Sequence, residues 1–340
     1  MTDLAPFQQL MTMTDLLTPA AVRAAATLGI ADHVAAGATT AGEIARRAGT
    51  KYDVTDSLLR YLAEIGLFLR DEAGTYALTP LAEPLLSDNP RSVRALLRND
   101  NMTGSSTLAL LRLDHTVRTG EPGYAAAFGR PFWETVNNDT EFVAEWQEHA
   151  ALADREHVAG GRLGWDAGAI VTEYDWSGAR SFVDVGGHLG VLTLALVRAH
   201  AHLHGTLLDL HNAAAEAGRR FARSEVADRL QAVEGSFFEP LPEGRDVYVL
   251  SAILADWTDD DAILILKRCR EAAADHGRVL VADIAMPING PGAELQMRSM
   301  MPAPARSAEQ IEQLAAAAGL RLTWRGPGTA VRTLLEFTAA

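Results

Sequence analysis

From Ser181 onward the chain alternates five short β-rich runs with amphipathic helices, and this alternation constrains the fold more than any other feature. The runs are Ser181-Phe-Val-Asp-Val, Gly205-Thr-Leu-Leu-Asp, Leu230-Gln-Ala-Val-Glu, Val247-Tyr-Val-Leu and Arg278-Val-Leu-Val-Ala. Strands separated by helices pair in parallel through right-handed crossovers, so a parallel, doubly wound sheet is expected. Such a sheet receives ligands beyond the carboxyl ends of its strands. The first run leads into Asp184-Val-Gly186-Gly187-His188-Leu189-Gly190 and then a helix over Val191–Ala199. Glycines there let the backbone turn sharply and approach a ligand near a helix N-terminus. Asp209 ends the second run, a place from which a carboxylate grips ribose hydroxyls. Gly235-Ser236-Phe237-Phe238 ends the third, where a ring can stack on a base and Ser236 can bond its edge.

A length of 340 residues points to more than one domain. The formal net charge of −14 argues against nucleic acid or an anionic membrane as partner, and fits a neutral or cationic small molecule. With Cys269 as the single cysteine there is no intrachain disulfide, and a reducing compartment fits. Its place within an amphipathic helix predicts a buried, inert thiol. The first ten residues lack the pattern of a signal peptide, and no apolar run is long enough to span a bilayer. A cytoplasmic location is expected.

The N-terminal part is Ala-rich and helical. Thr18-Pro19 is expected to cap a helix, with Val22, Ala25, Leu28, Ile30 and Val34 forming a stripe as far as Gly37. A short helix follows, with a capping box from Thr40 to Glu43 and a stop at Gly49. A further helix over 54–65 and a hairpin around Asp71 to Gly74 complete a winged-helix pattern. Its second helix carries Arg60 against Asp53, Asp56 and Glu64, a poor surface for a major groove. A dimerisation module is the preferred reading. Domain borders are expected at 1–95 for this module and 96–164 for a helical layer contributing to a substrate pocket. A Rossmann-like domain is expected over 165–340.

Residues 182–287 resemble bacterial O-methyltransferases that tailor aromatic polyketides and naphthoates, relatives of the plant phenolic O-methyltransferases. The matching pieces are Asp184-Val-Gly-Gly, Gly205-Thr-Leu-Leu-Asp-Leu, Gly235-Ser-Phe-Phe-Glu-Pro-Leu-Pro, Ser251-Ala-Ile-Leu-Ala-Asp-Trp257 and Leu266-Lys-Arg-Cys-Arg. Phe132-Trp133-Glu134, Tyr174-Asp175-Trp176 and the winged helix extend the likeness over nearly the whole chain. The resemblance implies a homodimer of α/β subunits, each with a Rossmann-like methyltransferase domain and a helical winged-helix dimerisation domain. It implies S-adenosylmethionine held by Asp184, Gly186, Gly187, His188, Gly190, Asp209, Leu210, Ser236, Phe237, Ser251 and Trp257. An aromatic acceptor would meet Trp133, Trp146, Met102, Met297, Met300 and Met301.

The chain departs from this pattern in three places. His188 stands where the family has a third glycine, and should crowd the cofactor. Ala255 replaces the histidine before Asp-Trp that acts as general base, a group typically worth ~10² to 10⁴ in rate. Pro302-Ala-Pro-Ala305-Arg replaces Gly-Gly-Lys-Glu-Arg, so the glutamate that orients the base is also lost, leaving Asp283 as the remaining acid. Three functions follow as expectations: a methyltransferase working by proximity, a repurposed enzyme running a cyclisation, isomerisation or hydroxylation-type step, or a non-catalytic binding protein. Two further patterns are read as structural. His200, His202 and His204, with His211 after them, have a spacing a metal could use but fit solvated loop positions better. Thr258 is expected to cap the helix after it, with Asp259, Asp260 and Asp261 complementing its dipole. A meeting of His188, Asp209 and His211 around a ligand remains open.

Overall fold

A computed structural model describes residues 5–138, 168–273, 276–284, 291–303, 306–328 and 332–340, and divides into two units, Met1–Leu108 and Ala109–Ala340. In the first unit the anticipated long stripe is two helices, Leu17–Thr27 and Ile30–Ala35. Gly29, at φ +62°, turns the chain between them. Thr18 is not the cap that the sequence indicated. Asp15 takes that role, its carboxylate accepting from the N–H groups of Leu17 and Thr18 at 3.0 and 3.2 Å. A carboxylate two residues upstream reaches the first free N–H groups better than a hydroxyl already inside the turn. The Thr18 hydroxyl instead bonds Tyr61 at 2.6 Å.

The helix Ala41–Ala48 has the expected reciprocal cap between Thr40 and Glu43, and ends at Gly49 in a left-handed conformation. Helix Tyr52–Glu64 and the hairpin of β1 (Phe68–Arg70) and β2 (Tyr76–Leu78) complete the winged helix. Ile30, Ile44, Leu59, Leu62, Phe68 and Tyr76 form its core. Arg60 spends its guanidinium on Asp56 at 3.0 Å.

The second unit is built on a seven-stranded sheet in the order β5-β4-β3-β6-β7-β9-β8. The strands are β3 (Ser181–Val185), β4 (His204–Asp209), β5 (Leu230–Glu234), β6 (Val247–Ser251), β7 (Arg278–Ile284), β8 (Leu320–Arg325) and β9 (Arg332–Ala339). The five anticipated strands are parallel to one another, as expected. The sheet as a whole is mixed, because β9 runs antiparallel to β7 and β8 antiparallel to β9. A short connection between β8 and β9 leaves no room for a crossover, so the pair must close as a hairpin. The helix after β3 spans Val191–Ala199, the range its sequence indicates.

Helices cover both faces, so the central strands are apolar on both sides. Phe182 faces one core, while Val183 and Val185 face the other. Asp246 anchors the start of β3, accepting from the N–H groups of Arg180 and Ser181 at 2.8 and 2.9 Å. The chain runs β3, β4, β5 outward, then returns to lay β6 and β7 on the other side of β3. That reversal opens a crevice at the carboxyl ends of β3 and β6.

Gly205 shows how tightly the sheet is packed on its helix. A Cβ there would lie 2.8 Å from Phe182 Cζ and 2.8 Å from Thr193 Cγ2. Gly205→Ala is expected to lower unfolding free energy by about 1–3 kcal/mol, read from urea unfolding of the two proteins.

Candidate active site at the strand ends

Two aspartates hold the glycine loop after β3. Asp184 lies beneath it, 1 % exposed, and accepts the Thr193 hydroxyl at 2.6 Å. Burial pushes its carboxyl up to about 6, with the Asp209 charge adding to the rise. A Cβ on Gly187 would sit 2.6 Å from the Asp184 carboxyl carbon. Asp184 therefore supports the loop from inside. Asp209, at the end of β4, is half-buried and uses both oxygens: Oδ2 accepts from the His188 N–H at 2.8 Å, and Oδ1 from the Leu210 N–H at 2.7 Å. Burial raises its carboxyl above the ordinary range, while these two N–H groups oppose the rise. The loop is tied back to β4 again where the Gly186 N–H donates to the Leu208 carbonyl at 2.8 Å.

His188 adopts φ +50°, a left-handed conformation. Non-glycine residues enter that region at a cost of about 1 kcal/mol or more, although histidine tolerates it better than most. The backbone thus keeps a glycine-like path with an imidazole attached. Burial pushes the ring down to about 4, so it is neutral at physiological pH. Gly186, at φ +75°, has no room for a side chain: a Cβ would fall 2.6 Å from Ile253 Cδ1 and 3.3 Å from Phe237 Cε1. Gly190, also left-handed, abuts the Phe221 ring.

Across the crevice, Phe237, Phe238 and Trp257 form an edge-to-face cluster with ring centroids 4.9–5.5 Å apart. The Ser236 hydroxyl accepts from the Phe238 N–H at 3.2 Å, which holds the turn after β5. Leu210 stands 43 % exposed at the mouth. Ser251 ends β6 with its hydroxyl accepting from Arg332 at 3.1 Å, and Ala252 after it is left-handed at φ +56°.

Next comes the segment where a base was missing. Ala255 donates its N–H to Asp283 Oδ1 at 3.3 Å. Its neighbour Asp256 is buried and accepts the Trp133 indole N–H at 3.1 Å. Burial, then the Asp283 charge, push Asp256 up to about 8, so it holds its proton at neutral pH. Arg306 clamps this segment. It is 5 % exposed and donates to the carbonyls of Leu254 and Trp257 at 2.6 and 2.7 Å, and to Asp259 at 2.7 and 2.9 Å. In the sequence Arg306 is only the last residue of the 302–306 stretch, and its reach to three groups far away along the chain leaves no local signal. Trp133 lies on helix Phe132–Asn138, which is also tied down where Asn212 Nδ2 donates to the Asn137 carbonyl at 2.7 Å.

Met297 and Met300 are half-buried on helix Pro291–Met300, and Met301 after it is buried. That helix packs on Gly123–Phe128 and Ala109–Arg112. Met102 opens a helix of the first unit. Trp146, Pro304 and Ala305 lie outside the described residues. Thr258 caps the helix Asp259–Ala273 as expected, in a reciprocal pair with Asp261. His200 and His202 bond the carbonyls of Val171 and Trp176, each at 3.1 Å. His211 Nδ1 pairs with the Glu234 carboxylate at 2.8 Å. Among the described residues no group of side chains could hold a metal ion. Cys269 is fully buried, and burial pushes its thiol far up, as its place in the helix implied.

Two family descriptions match the chain: an O-methyltransferase domain over residues 111–321 and an O-methyltransferase dimerisation domain over residues 10–88. A 2,7-dihydroxy-5-methyl-1-naphthoate 7-O-methyltransferase of Streptomyces carzinostaticus is 41 % identical over 332 residues, 97 % of each chain. Aclacinomycin 10-hydroxylase RdmB of Streptomyces purpurascens is 36 % identical over 97 % of this chain and 90 % of its own. A crystal structure of the O-methyltransferase NcsB1, with S-adenosylmethionine and 2-hydroxy-5-methyl naphthoic acid, is 41 % identical with a TM-score of 0.83, covering 97 % of this chain and 98 % of that one.

The Asp256–Asp283 pair has a measurable consequence. The Asp256 carboxyl moves from 3.8 to about 8 on folding. Below pH 4 both states hold its proton. Between pH 4 and pH 8 the unfolded chain releases the proton and the native chain keeps it, so native stability falls as pH rises. Asp256→Asn keeps an acceptor for Trp133 without a charge to bury. It is expected to raise stability by about 1–3 kcal/mol at pH 8 and to leave it nearly unchanged at pH 4, read from denaturant melts across that range.

Proposed function

The chain belongs to the O-methyltransferase family, and on that premise we propose that it moves a methyl group from S-adenosylmethionine to a hydroxyl of an aromatic, polyketide-like acceptor by proximity, without a histidine base. The observation that carries this reading is the backbone path at residues 186–190. It keeps the glycine conformation through His188, and the His188 N–H still rests on Asp209. The bond to Asp209 holds a non-glycine residue on the path that a glycine would take, which leaves the loop backbone in the form that a nucleoside donor would meet.

The residues present fit the cofactor. Gly186 and Gly187 leave no space for side chains on the loop, which keeps its backbone open to a ligand. Asp209 retains unused lone pairs on both oxygens, as a ribose diol would require. Gly190, Leu210, Ser236, Phe237, Ser251 and Trp257 would complete the pocket, with Asp184 fixing the loop from below. When bound, S-adenosylmethionine supplies a methyl group activated by its sulfonium. The Asp256 carboxyl, protonated at neutral pH, cannot accept a proton, and Ala255 has none to exchange, so the proton of the acceptor hydroxyl would leave to water as the methyl group moves from sulfur to oxygen. What this chain's residues contribute is alignment, and a well-aligned pair of reactants gains ~7 to 11 kcal/mol toward reaction. Trp133, Met297, Met300 and Met301 would line the acceptor side. Adaptable methionines suit a flat polycycle.

A homodimer fits the exposed apolar residues of the N-terminal helix Ala5–Met13, whose Phe7, Leu10, Met11 and Met13 are all more than half exposed. No helix among the described residues is long and apolar enough to cross a membrane, and a cytoplasmic location belongs to the same proposal. A different reaction in the same pocket has the hydroxylase relative behind it. The other relatives reported above are methyltransferases and do not favour it, nor a binding protein without turnover.

Calorimetric titration with S-adenosylmethionine is expected to give micromolar binding, and incubation with 1,4-dihydroxy-2-naphthoic acid a methylated product by mass spectrometry. Absence of both heat and methylated product rejects the proposal. His188→Gly is expected to tighten donor binding several-fold by removing the ring from the loop. Ala255→His is expected to raise kcat by about tenfold or more, since it returns a general base to its place.

A further inference from the structure

Resting on the proposal that S-adenosylmethionine binds at the strand ends, we infer that Arg332 is a positioning residue for that donor, holding the turn Ser251–Ala252–Ile253 against the glycine loop. Arg332 opens β9 opposite Ile284, level with the carboxyl end of β7. It is 2 % exposed, and its guanidinium reaches back over β7 toward β6. Nη1 donates to the Ser251 hydroxyl at 3.1 Å and to the Ala282 carbonyl.

The Ala282 carbonyl is shared. It also accepts the Ala252 N–H at 3.0 Å. Ala252 is one of two described non-glycine residues at positive φ, the other being His188 in the facing loop. An alanine has no side-chain hydrogen bond to offset left-handed strain, so its conformation must be imposed by what surrounds it. The guanidinium and the N–H together fix the carbonyl that imposes it. Beyond Ala252, Ile253 is buried, and its Cδ1 fills the space where a Gly186 side chain would stand. One cation therefore bears on Ser251 directly and on Gly186 through Ala252 and Ile253. Its charge also favours the ionised form of Asp184, which supports the same loop from beneath.

A burial this complete needs a reason. A guanidinium taken out of water is costly unless its donors are met, and an apolar side chain of similar volume is often at least as stable. A merely structural arginine would change the melting temperature and leave donor affinity of the folded protein as it was. A positioning arginine changes affinity at a temperature where both proteins are folded.

The test uses the full chain and calorimetric titration with S-adenosylmethionine and S-adenosylhomocysteine, well below each variant's melting temperature. Arg332→Met is expected to weaken both ligands by about tenfold or more, the usual effect of losing a charged hydrogen bond. Arg332→Lys, which keeps the charge and a donor on this side of β7, is expected to recover most of that loss. Ser251→Ala is expected to cost less in the Arg332→Met background than in the wild type, because the two act through one contact. Where Arg332→Met does not fold, Arg332→Gln, neutral and still a donor, replaces it with the same expectation against Arg332→Lys. Wild-type affinity in a folded Arg332→Met or Arg332→Gln protein, or losses that simply add with Ser251→Ala, overturns the inference and leaves the methyltransferase reading standing. Absence of binding by the wild type overturns both.

Discussion

The Asp209 carboxylate accepts one N–H from His188 across the loop and another from Leu210 beside it. Those two bonds set how the chain leaves β3 and how the next helix begins, and the rest of the strand-end crevice is built around them. They are made in a place that disfavours the charge, since burial raises Asp209 and Asp184 alike. A pair of carboxylates kept in such surroundings is held there by the N–H and hydroxyl donors that face them. The same donors commit the backbone to its path. This is why a histidine can replace glycine at 188 without the loop changing course: the left-handed conformation costs about 1–2 kcal/mol, less than giving up a charged hydrogen bond to a buried acid.

The acceptor side shows the same separation between frame and chemistry. The segment that would carry the base has lost it at Ala255, yet Arg306 still grips the Leu254 and Trp257 carbonyls, and Asp283 still takes the Ala255 N–H. The frame stands here without the group that the resemblance would place on it. Methyl transfer to a hydroxyl whose proton leaves to water needs that frame, and gains more from alignment than it loses with the base. The hydroxylase among the relatives shows that a similar chain can carry another name for its reaction. Likeness of fold thus leaves the reaction to be argued from the site itself.

Much of this was legible in the sequence because it is written in local patterns. The five parallel strands, the helix Val191–Ala199 and the capping box at Thr40 rest on periodicity and on residues a few positions apart. The hairpin of β8 and β9 was not foreseen, although Leu320-Arg-Leu-Thr-Trp-Arg alternates apolar and polar side chains as an edge strand should. Thr18 misled because proline after a hydroxyl residue resembles a cap, while Asp15 upstream reached the N–H groups first. Asp184 was read as a ligand contact, and its burial shows it working one layer below. The two arginines that organise the site, Arg306 and Arg332, act on partners 47–52 and 50–81 residues away. Nothing in a window of ordinary length reveals that.

Charge ties these observations together. Asp184, Asp209, Asp256 and Asp283 all come from the ends of the parallel strands or the turns just beyond them, and all four are buried or half-buried. Asp256 sheds its share of the repulsion by keeping its proton, because Asp283 beside it does not allow both to ionise cheaply. Asp184 is pushed upward less, and Arg332 is one of the groups that favour its charge. With Asp256 neutral, Asp184, Asp209 and Asp283 are the acids at the strand ends, and two buried guanidinium groups face them, Arg332 from β9 and Arg306 beside the Ala255–Asp256 segment. On the proposed reading a donor whose reactive atom is a sulfonium would gain from the charge of the ionised acids, and after transfer the neutral thioether would not. On the proposed reading the ionised acids would help to hold the donor and to release what remains of it, quite apart from any proton they move.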